Sequence, residues 1–422
     1  MTTTINNEHK ELNFSSEREQ SQTCLNSAEH EKNQGRKVLN VPNLRFPEFV
    51  GEWEKCKLED VMNFSTTRVN SSELNEDNYV STENMLQDYQ GIVEAKSVPE
   101  DVNVISFSCG NILISNIRPY LKKVWKATFN GGCSSDVFVL KANDNIESDY
   151  LHYVIANDKF INFVMSGAKG VKMPRGDKKQ MKTYSLSLPQ IQEQHKIARL
   201  LSLLDERITT QNKIIEDLKK LKSAISKQVF AKDPNGWNRL DTLFSKGKAG
   251  GTPTSTKKEY YNGDIPFLSI NDITRQGKFI RNTENHLSQS GLENSSAWVV
   301  PRYSLIISMY ASVGLVTIND VPLTTSQAMF AMQLKEKDLL DYLYYYLLYF
   351  KYRHIHKYLE TCTQSNINAD IVRGIMIPTY GYSHNVKIAS TLQSVDTKID
   401  NEFSVLEQFN RQKSYFLSQM FI

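Results

Sequence analysis

Four loop-like stretches of the sequence concentrate the side chains that contact nucleic acids. They read SNIRPYLKK (115–123), SGAKGVKMPRGDKK (166–179), SKGKAGGTPTSTKK (245–258) and TCTQSNINADIVR (361–373). Lys and Arg neutralise phosphates, while Arg, Asn and Gln can form paired hydrogen bonds with base edges. A single loop of this kind is more often a solvated turn, but several of them in two similar regions favour nucleic-acid binding.

The candidate DNA contacts are cationic, amide, hydroxyl or aromatic side chains in and around these loops. In the first half of the chain they are Arg68, Arg118, Tyr120, Lys122, Lys123, Lys169, Lys172, Arg175, Lys178 and Lys179. In the second half they are Lys246, Lys248, Thr252, Thr254, Lys257, Lys258, Asn271, Arg275, Gln364, Asn366 and Asn368. We expect side chains that reach base edges to carry sequence preference, and the others to hold phosphates.

The sequence contains no motif that supports catalysis or a metal site. The glycines of GKAGGTP (247–253) do not have the spacing of a phosphate-binding loop. DPNGW (233–237) lacks the second proline of an amino-group methyltransferase motif. His354, His356 and Cys362 come nearest to a metal-ligand group and do not have zinc-site spacing. We therefore predict a non-catalytic binding protein with no metal or cofactor of its own.

The composition is that of an ordinary globular protein. The 422 residues carry a net charge of +3, which permits nucleic-acid binding without arguing for it. Five cysteines without a C-x-x-C pair indicate a reducing compartment. No signal peptide and no apolar run of membrane-spanning length is present, so we expect a cytoplasmic protein that does not associate with membranes. Residues 1–40 are polar and are predicted to be a disordered leader.

Internal repetition is the main organising signal of the chain. The stretch from His195 to Phe230 recurs from Val386 to Phe421 at a constant offset of 191 residues, with eleven identical positions. The preceding regions also correspond, since DYLHY (149–153) matches DYLYY (341–345). The predicted order is a domain, a helix, a similar domain and a similar helix. The predicted boundaries are 41–188, 189–232, 233–380 and 381–422.

The repeated helices carry the apolar seam of a coiled coil, in alternating steps of four and three residues. The apolar seam positions are Ile197, Leu201, Leu204, Ile208, Ile215, Leu218, Ile225, Ile388, Leu392, Val395, Ile399, Leu406, Phe409 and Phe416. Two polar seam positions are shared between the copies, Gln211 with Glu402 and Lys222 with Lys413. Polar seam residues reduce stability but fix register and partner choice.

Each helix could pack only on its own domain, or the two helices could pair with each other. Their equal length and matched polar positions favour antiparallel pairing, with the domains at opposite ends of a pseudo-twofold rod. The seam would be about 48 Å long, against about 34 Å for one turn of B-DNA. Short apolar alternations such as VNVISFS predict strands, and helical stretches at 149–165 and 339–359 close the two regions. The predicted fold class is α/β (α+β).

The order of domains and helices resembles the specificity subunits of type I restriction–modification systems. The family signature P-x-x-x-E-Q-x-x-I-A-x-x-L reads PQIQEQHKIARLLSLLDERI (189–208) in this chain. VPNLRFPEFVGEWEKCKLEDV (41–61) and the segment GGTP…YYNGDIPFLSINDI (250–273) are similar to the openings of such subunits and of their recognition domains. The resemblance covers about residues 41–422. The second helix departs from it, because PTYGYSHNVKIA lacks the E-Q pair.

The resemblance implies that two target recognition domains each read one half of a bipartite double-stranded DNA site, with the helices setting the gap. It implies a non-catalytic subunit that binds two modification subunits, which methylate adenine, and the ATP-dependent restriction subunits. S-adenosylmethionine, ATP and magnesium would belong to those partners. The exposed helix positions Arg199, Glu206, Arg207 and Lys213 are candidates for docking the modification subunits. The alternative is a two-domain protein-interaction adaptor with a coiled-coil spacer.

Overall fold

The computed structural model describes residues 40–310, 312–358 and 366–422. The predicted disordered leader therefore lies outside the described residues, apart from its last position. The chain divides into two units. The first unit comprises Met1–Glu206 with Asn410–Ile422, and the second comprises Arg207–Phe409. Each unit thus contains a part of both long helices.

The described residues of the first unit form ten strands, four short helices and the start of a long one. The strands are β1 (Glu54–Lys57), β2 (Met62–Phe64), β3 (Arg68–Asn70), β4 (Tyr79–Val80), β5 (Asn103–Phe107), β6 (Ile112–Ser115), β7 (Val124–Lys126), β8 (Gly131–Cys133), β9 (Val137–Ala142) and β10 (Ser185–Leu188). The helices are α1 (Leu58–Val61), α2 (Ser148–Ile155), α3 (Asp158–Ser166), α4 (Lys178–Lys182) and the long α5 (Ile191–Phe230), with 3-10 turns at Ser71–Glu73 and Pro119–Leu121.

The second unit has the same kind of content. Its strands are β11 (Gly236–Arg239), β12 (Phe244–Ala249), β13 (Ile265–Leu268), β14 (Phe279–Ile280), β15 (Asn285–Leu287), β16 (Leu305–Ser308), β17 (Val316–Asn319), β18 (Thr324–Thr325), β19 (Met329–Leu334) and β20 (Met376–Thr379). Its helices are α6 (Leu240–Leu243), α7 (Ile270–Gln276), α8 (Gln289–Glu293), α9 (Leu340–Arg353), α10 (Ala369–Gly374) and the long α11 (Tyr382–Gln419), with 3-10 turns at Lys258–Tyr261, Lys337–Leu339 and Ile355–Lys357.

One sheet has the same strand order in both units, with one more strand in the second, whereas a further sheet differs between the units in strand number and order. The first unit has sheets of order β2-β9-β6-β7 and β3-β5-β8-β4, and the second has β12-β19-β16-β17-β14 and β15-β13-β18. In each unit the first strand pairs antiparallel with the strand that precedes the long helix, β1 with β10 and β11 with β20. A short sheet therefore fixes the point from which each long helix departs. The predicted mixed fold of two similar domains with two long helices is confirmed.

A repeated phenylalanine closes the core of each unit beside the same helix position. In the first unit the Phe421 ring stacks on Tyr150 of α2, with 5.2 Å between centroids. In the second unit Phe230 meets Tyr342 of α9 edge-on, with 6.0 Å between centroids. Tyr150 and Tyr342 are fully buried, so these aromatic pairs contribute apolar burial as well as ring contact.

Among the described residues, no helix combines the length and apolar character that crossing a membrane requires.

The predicted helical stretch over 149–165 is interrupted, because the structure has two helices there, α2 and α3. The chain leaves the helical conformation at Ala156, and Asn157 caps α3 by accepting a hydrogen bond from the Lys159 N–H (2.9 Å). Asparagine is a strong cap residue because its side-chain oxygen satisfies a free N–H at a helix start. The second unit has one continuous helix at this place, α9.

A buried carboxylate holds the start of α5. Glu193 is 1% exposed and accepts two hydrogen bonds from the Arg45 guanidinium, each 2.8 Å, and one from the Trp53 indole N–H at 3.2 Å. The neighbouring Gln194 donates to the carbonyl of Pro189 (2.9 Å), the residue directly after β10. The E-Q pair of the first signature therefore ties the helix to the strand and to the opening segment of the domain.

The second long helix starts at the equivalent residue without this pair. Its first residue, Tyr382, lies 191 positions after Ile191, the first residue of α5. Asn385 takes the place of Gln194 and accepts a hydrogen bond from the Tyr380 N–H (3.0 Å). Because the exposed His384 replaces the buried Glu193, the second tryptophan, Trp237, has no such carboxylate to bind and is 53% exposed. The missing E-Q pair changes what holds the helix, but not where it begins.

We expect Glu193→Ala to lower the free energy of unfolding by about 3–5 kcal/mol, because it leaves the Arg45 guanidinium and the Trp53 N–H without their shared partner. Chemical denaturation followed by tryptophan fluorescence measures this change. The matched control is His384→Ala at the equivalent exposed position, which should leave the unfolding midpoint unchanged. Equal midpoints for the two variants would show that the buried pair contributes nothing to stability.

Candidate nucleic-acid interface

The two basic loops of the first unit, 115–123 and 166–179, meet on one surface. The Arg118 N–H donates to the carbonyl of Pro174 (2.7 Å), and the Gly176 N–H donates to the carbonyl of Asn116 (3.0 Å). Arg118 has a φ of +50°, in the left-handed region that costs free energy for a residue with a side chain. These backbone bonds hold it there. Candidates that lie over 40 residues apart in sequence thus form one face.

The loop 166–179 includes a hairpin that projects into solvent. Lys169 and Arg175 each donate a backbone hydrogen bond to the other, at 3.0 and 2.9 Å. Between them Val171 is 104% exposed and Met173 is 47% exposed, on either side of the exposed Lys172. Composition alone did not select the two apolar residues as DNA contacts. Their exposure beside cations gives the tip both phosphate-binding groups and apolar groups suited to a thymine methyl.

Three predicted cations of the first unit contact their own domain instead of projecting outward. Lys122 forms an ion pair with a carboxylate of α3 (2.9 Å), and the Lys123 ammonium donates to the carbonyl of Thr82 (2.6 Å). The Lys178 ammonium lies 4.6 Å from the ring centroid of Phe138. Burial lowers the pKa of both Lys123 and Lys178. The side chains of these three residues therefore support the loops.

The remaining first-unit candidates are exposed, and they are Arg68, Arg118, Tyr120, Lys169, Lys172, Arg175 and Lys179. Two of them form ion pairs at the surface, Arg175 with Asp136 (3.0 Å) and Lys169 with Asp177 (3.2 Å). Their cationic side chains are 53% and 83% exposed. Because exposed ion pairs contribute little free energy, a phosphate can take the place of either carboxylate.

In the second unit the end of β12 and the glycine-containing loop that follows it pack against the segment 294–298. The Lys246 ammonium lies 4.5 Å from the ring centroid of Trp298, and the Lys248 ammonium donates to the carbonyl of Ser296 (3.3 Å). A Cβ at Gly251 would lie 2.3 Å from the backbone nitrogen of Ala297. Only glycine permits that approach, so packing requires glycine at position 251 of the GGTP stretch.

Other second-unit candidates also have partners within the domain. Arg275 pairs with the carboxylates of Asp272 (3.3 Å) and Glu284 (2.7 Å), and Asn368 caps α10. The exposed candidates are Lys246, Lys248, Thr252, Thr254, Lys257, Lys258, Asn271, Arg275 and Asn368. Asn366 is half-buried, and Gln364 lies outside the described residues. Within the described parts of the chain, no group of three or more His, Cys, Asp and Glu side chains is placed to hold a metal ion.

Every predicted seam position of the long helices is buried or half-buried. In the second unit the amide of Gln211 donates to the backbone carbonyl of Glu402 (3.0 Å) and to its carboxylate. Further along α5, Lys222 pairs with Asp396 (2.5 Å). Partner numbers on α11 fall as residue numbers on α5 rise, so these segments run antiparallel, as predicted from the equal length and matched polar positions of the helices.

One aspartate in the first unit joins three helices. Asp205 of α5 accepts a hydrogen bond from the Tyr153 hydroxyl of α2 (2.8 Å) and pairs with the Lys413 ammonium of α11 (2.5 Å). Burial, reinforced by the charge of Asp205, raises the pKa of the Tyr153 hydroxyl far above its ordinary value. The hydroxyl therefore stays a hydrogen-bond donor at all physiological pH values.

The second unit repeats this triad with the equivalent residues. Asp396 of α11 accepts from the Tyr345 hydroxyl of α9 (2.7 Å) and pairs with the Lys222 ammonium of α5 (2.5 Å). Each domain is thus connected to both long helices through one carboxylate. The sequence showed all three positions as repeated residues, Tyr153 with Tyr345, Asp205 with Asp396 and Lys413 with Lys222. Their convergence was not predicted, because it depends on packing between distant segments.

The chain matches the family model described as "Type I restriction modification DNA specificity domain" over residues 51–220 and 234–410. It is 29% identical over 179 residues to the type I restriction enzyme MjaIX specificity subunit of Methanocaldococcus jannaschii, an alignment that spans 41% of each chain. It is 24% identical over 317 residues to the MjaVIII specificity subunit of the same organism, covering 68% of this chain and 73% of the relative.

A solved structure is similar over nearly its whole length. The S subunit of a type I restriction–modification system from M. genitalium aligns with a TM-score of 0.58 and 15% identity. The alignment covers 90% of this chain and 99% of that one. At this identity the likeness establishes the fold.

We expect Asp205→Asn to lower the free energy of unfolding by about 1.5–3 kcal/mol, since it leaves Lys413 without its counter-charge. Asp396→Asn should have a similar effect through Lys222. Denaturant titration of each variant measures the loss. Asp217→Asn is the matched control on the same helix, because Asp217 belongs to an exposed pair with Lys220. A loss for Asp217→Asn as large as that for Asp205→Asn would contradict the structural role of the triad.

A pH dependence follows from His152, next to the first triad. Burial, with a smaller contribution from Lys413, lowers the pKa of its imidazole to about 4. The ordinary value is about 6.5, so the folded state binds fewer protons than the unfolded state. The stability held by the neutral imidazole is therefore complete above about pH 6.5 and is lost as the pH falls towards 4, in total roughly 3 kcal/mol.

His152→Gln should flatten this part of the curve, since glutamine does not titrate. The comparison is the difference in unfolding free energy between the chain and the variant at pH 7.5, 6.0 and 5.0. A constant difference across these pH values would show that folding does not lower the pKa of His152.

Proposed function

The chain belongs to the type I restriction–modification DNA specificity family, and we propose that each of its two domains reads one half of a bipartite DNA site. This proposal rests on one observation: the strands and helices that support the loops are repeated in both domains, whereas the loops themselves differ. The two matched segments, 51–220 and 234–410, each contain the same strand pairing and the same Tyr–Asp hydrogen bond, and in each the aspartate pairs with a lysine of the other long helix. Two readers with a common support and separate loops suit a site with two different halves.

The reading surfaces we assign are the exposed candidates of each domain. In the first domain they are the joined loops around Arg118 and the hairpin tip at Lys172. In the second they are the end of β12, with Lys246 and Lys248, and the GGTP loop that follows it. Arginine, asparagine and lysine there can form hydrogen bonds with base edges in the major groove, while threonine and tyrosine hydroxyls reach phosphates or bases.

The paired helices act as the spacer between the two half-sites. Polar seam residues disfavour any other register, because a shift would leave Gln211, Lys222 and Lys413 against apolar neighbours. A spacer of fixed register gives a gap of fixed length. The wording "specificity subunit" in the relatives' names supports a chain that provides recognition within a larger enzyme.

The chain directs partner subunits and performs no chemistry of its own. Two modification subunits supply adenine methylation with S-adenosylmethionine, and restriction subunits supply ATP- and magnesium-dependent cleavage. The exposed positions Arg199, Glu206, Arg207 and Lys213 on α5 are candidates for docking the modification subunits. Its place of action would be the cytoplasm, where the DNA lies.

A protein-interaction adaptor with a helical spacer is the alternative function. DNA binding depends steeply on salt, because each phosphate contact releases about one counterion. An adaptor that binds proteins would not bind added DNA duplex, so no salt-dependent affinity for the duplex would be measured.

We expect replacement of residues 41–188 by the equivalent region of a relative to change one half of the methylated site and to leave the other half and the gap unchanged. Each domain carries its own reading loops, so exchange of one domain exchanges one half-site. Single-molecule sequencing of methylated adenines, in cells with the chain and its modification subunits, provides the measurement.

Cells without the chain are the first control and should lose one two-part motif. Exchange of residues 233–380 is the matched second variant and should change the opposite half. Retention of both halves in either exchange would contradict modular reading, and the absence of any lost motif would contradict the DNA-directed function.

A further inference from the structure

A groove in the second unit lies between α5 and the end of α9. It has a volume of about 250 Å³. Four cationic side chains line it, Lys219, Lys222 and Lys227 from α5 and Arg353 from α9, and none of the described residues that line it has a carboxylate. We call this surface the basic groove.

The cations of the basic groove are only partly neutralised. Lys222 belongs to the triad, and Lys219 pairs with Glu216 across one turn (2.8 Å) with 49% and 60% of the two side chains exposed. An exposed pair of this kind contributes little. Lys227 and Arg353 have no ion-pair partner among the residues that the structure describes. The groove therefore presents net positive charge to solvent.

The first unit has a groove at the equivalent place with a different charge. It lies between α11 and the α2–α3 region and has a volume of about 430 Å³. Asn410 stands at the position of Lys219, and Ser418 stands at the position of Lys227. Three lysines, Lys122, Lys159 and Lys413, also line this groove, but two carboxylates, Asp88 and Asp158, offset most of their charge, so its net positive charge is smaller than that of the basic groove.

The comparison of the two grooves indicates whether the fold itself requires the lysines of the basic groove. The same backbone arrangement accepts asparagine and serine at the two helix positions, so the fold does not require lysine there. Lysine side chains that folding does not require are available for binding. The charge of Lys219 and Lys227 is therefore a property of the second groove alone.

Hydroxyl groups complete the lining of the basic groove. Ser223 and Ser226 come from α5, and Tyr349 and Tyr352 from α9, with Tyr352 76% exposed. Lysine, arginine, serine and tyrosine are the side chains with which proteins hold the phosphates and sugars of DNA without reading bases. Together, these cationic and hydroxyl side chains are suited to binding anionic oxygen atoms.

We propose that the basic groove holds backbone phosphates of the unspecified gap between the two half-sites. This inference rests on the proposed function, in which the helices span that gap. Two identical modification subunits would meet equivalent surfaces of the two repeats, whereas these grooves differ in charge. A DNA duplex has no such constraint and can contact one groove only. The contact adds affinity without adding sequence preference.

The test converts the basic groove to the residues of the first one, with Lys219→Asn and Lys227→Ser together. The complex of the full chain with its modification subunits is titrated with a duplex that contains the methylated motif, between 50 and 200 mM salt. Loss of two phosphate contacts should reduce the slope of log K against log salt by about 1.8. Binding to unrelated duplex should weaken by the same factor, and the methylated motif should stay the same.

The matched control removes two lysines from exposed positions of the long helices outside the groove, with Lys220→Asn and Lys387→Asn. Its slope should equal that of the unaltered complex. An unchanged slope for the groove variant, in a complex that binds DNA, would overturn the inference and leave the proposed function intact. Loss of the modification subunits from the groove variant at an unchanged slope would also overturn it, in favour of a protein contact. Failure of the unaltered complex to bind DNA would overturn both.

Discussion

The carboxylate that joins three helices in each unit is the constraint on which the rest of the arrangement depends. Asp205 and Asp396 each accept a hydrogen bond from a tyrosine hydroxyl of the domain. Each also forms an ion pair with a lysine of the opposite helix. Taking an ammonium and a carboxylate partly out of water costs free energy that good geometry must offset. A slip of one residue turns a helix by about 100° and moves it about 1.5 Å, which separates the charges. The triads therefore admit one register.

A fixed support explains why the two repeats can differ elsewhere. Trp53 is buried against Glu193, while Trp237 is largely exposed because its repeat has no equivalent carboxylate. The first repeat breaks its closing helix at Asn157, and the second keeps α9 continuous. Neither difference moves the start of the long helix relative to the repeat. Divergence is thus confined to parts that do not set the register.

The sequence predicted the helices and their seam because a long heptad pattern is a strong local signal. It could not predict that loops 115–123 and 166–179 meet, since that contact joins backbone groups of distant segments. The directions of Lys122, Lys123 and Lys178 were equally hidden, because residue type does not say whether a loop lysine points to solvent or to its own domain. The internal repeat held information that the heptad pattern did not: the tyrosine, aspartate and lysine of the triad recur in both copies. Their recurrence could have predicted that the three side chains contact one another.

The chain uses the same kinds of side chain under two different electrostatic conditions. Around the proposed reading loops, the pairs of Arg175 with Asp136 and of Lys169 with Asp177 are open to water, so a phosphate can replace either carboxylate at little cost in free energy. In the triads, Lys413 and Lys222 are only 18% and 25% exposed, and exchange would leave a carboxylate without its partner in a poorly hydrated place. Burial, and not residue identity, therefore decides which lysines can exchange their carboxylate for a phosphate and which must hold the long helices in place.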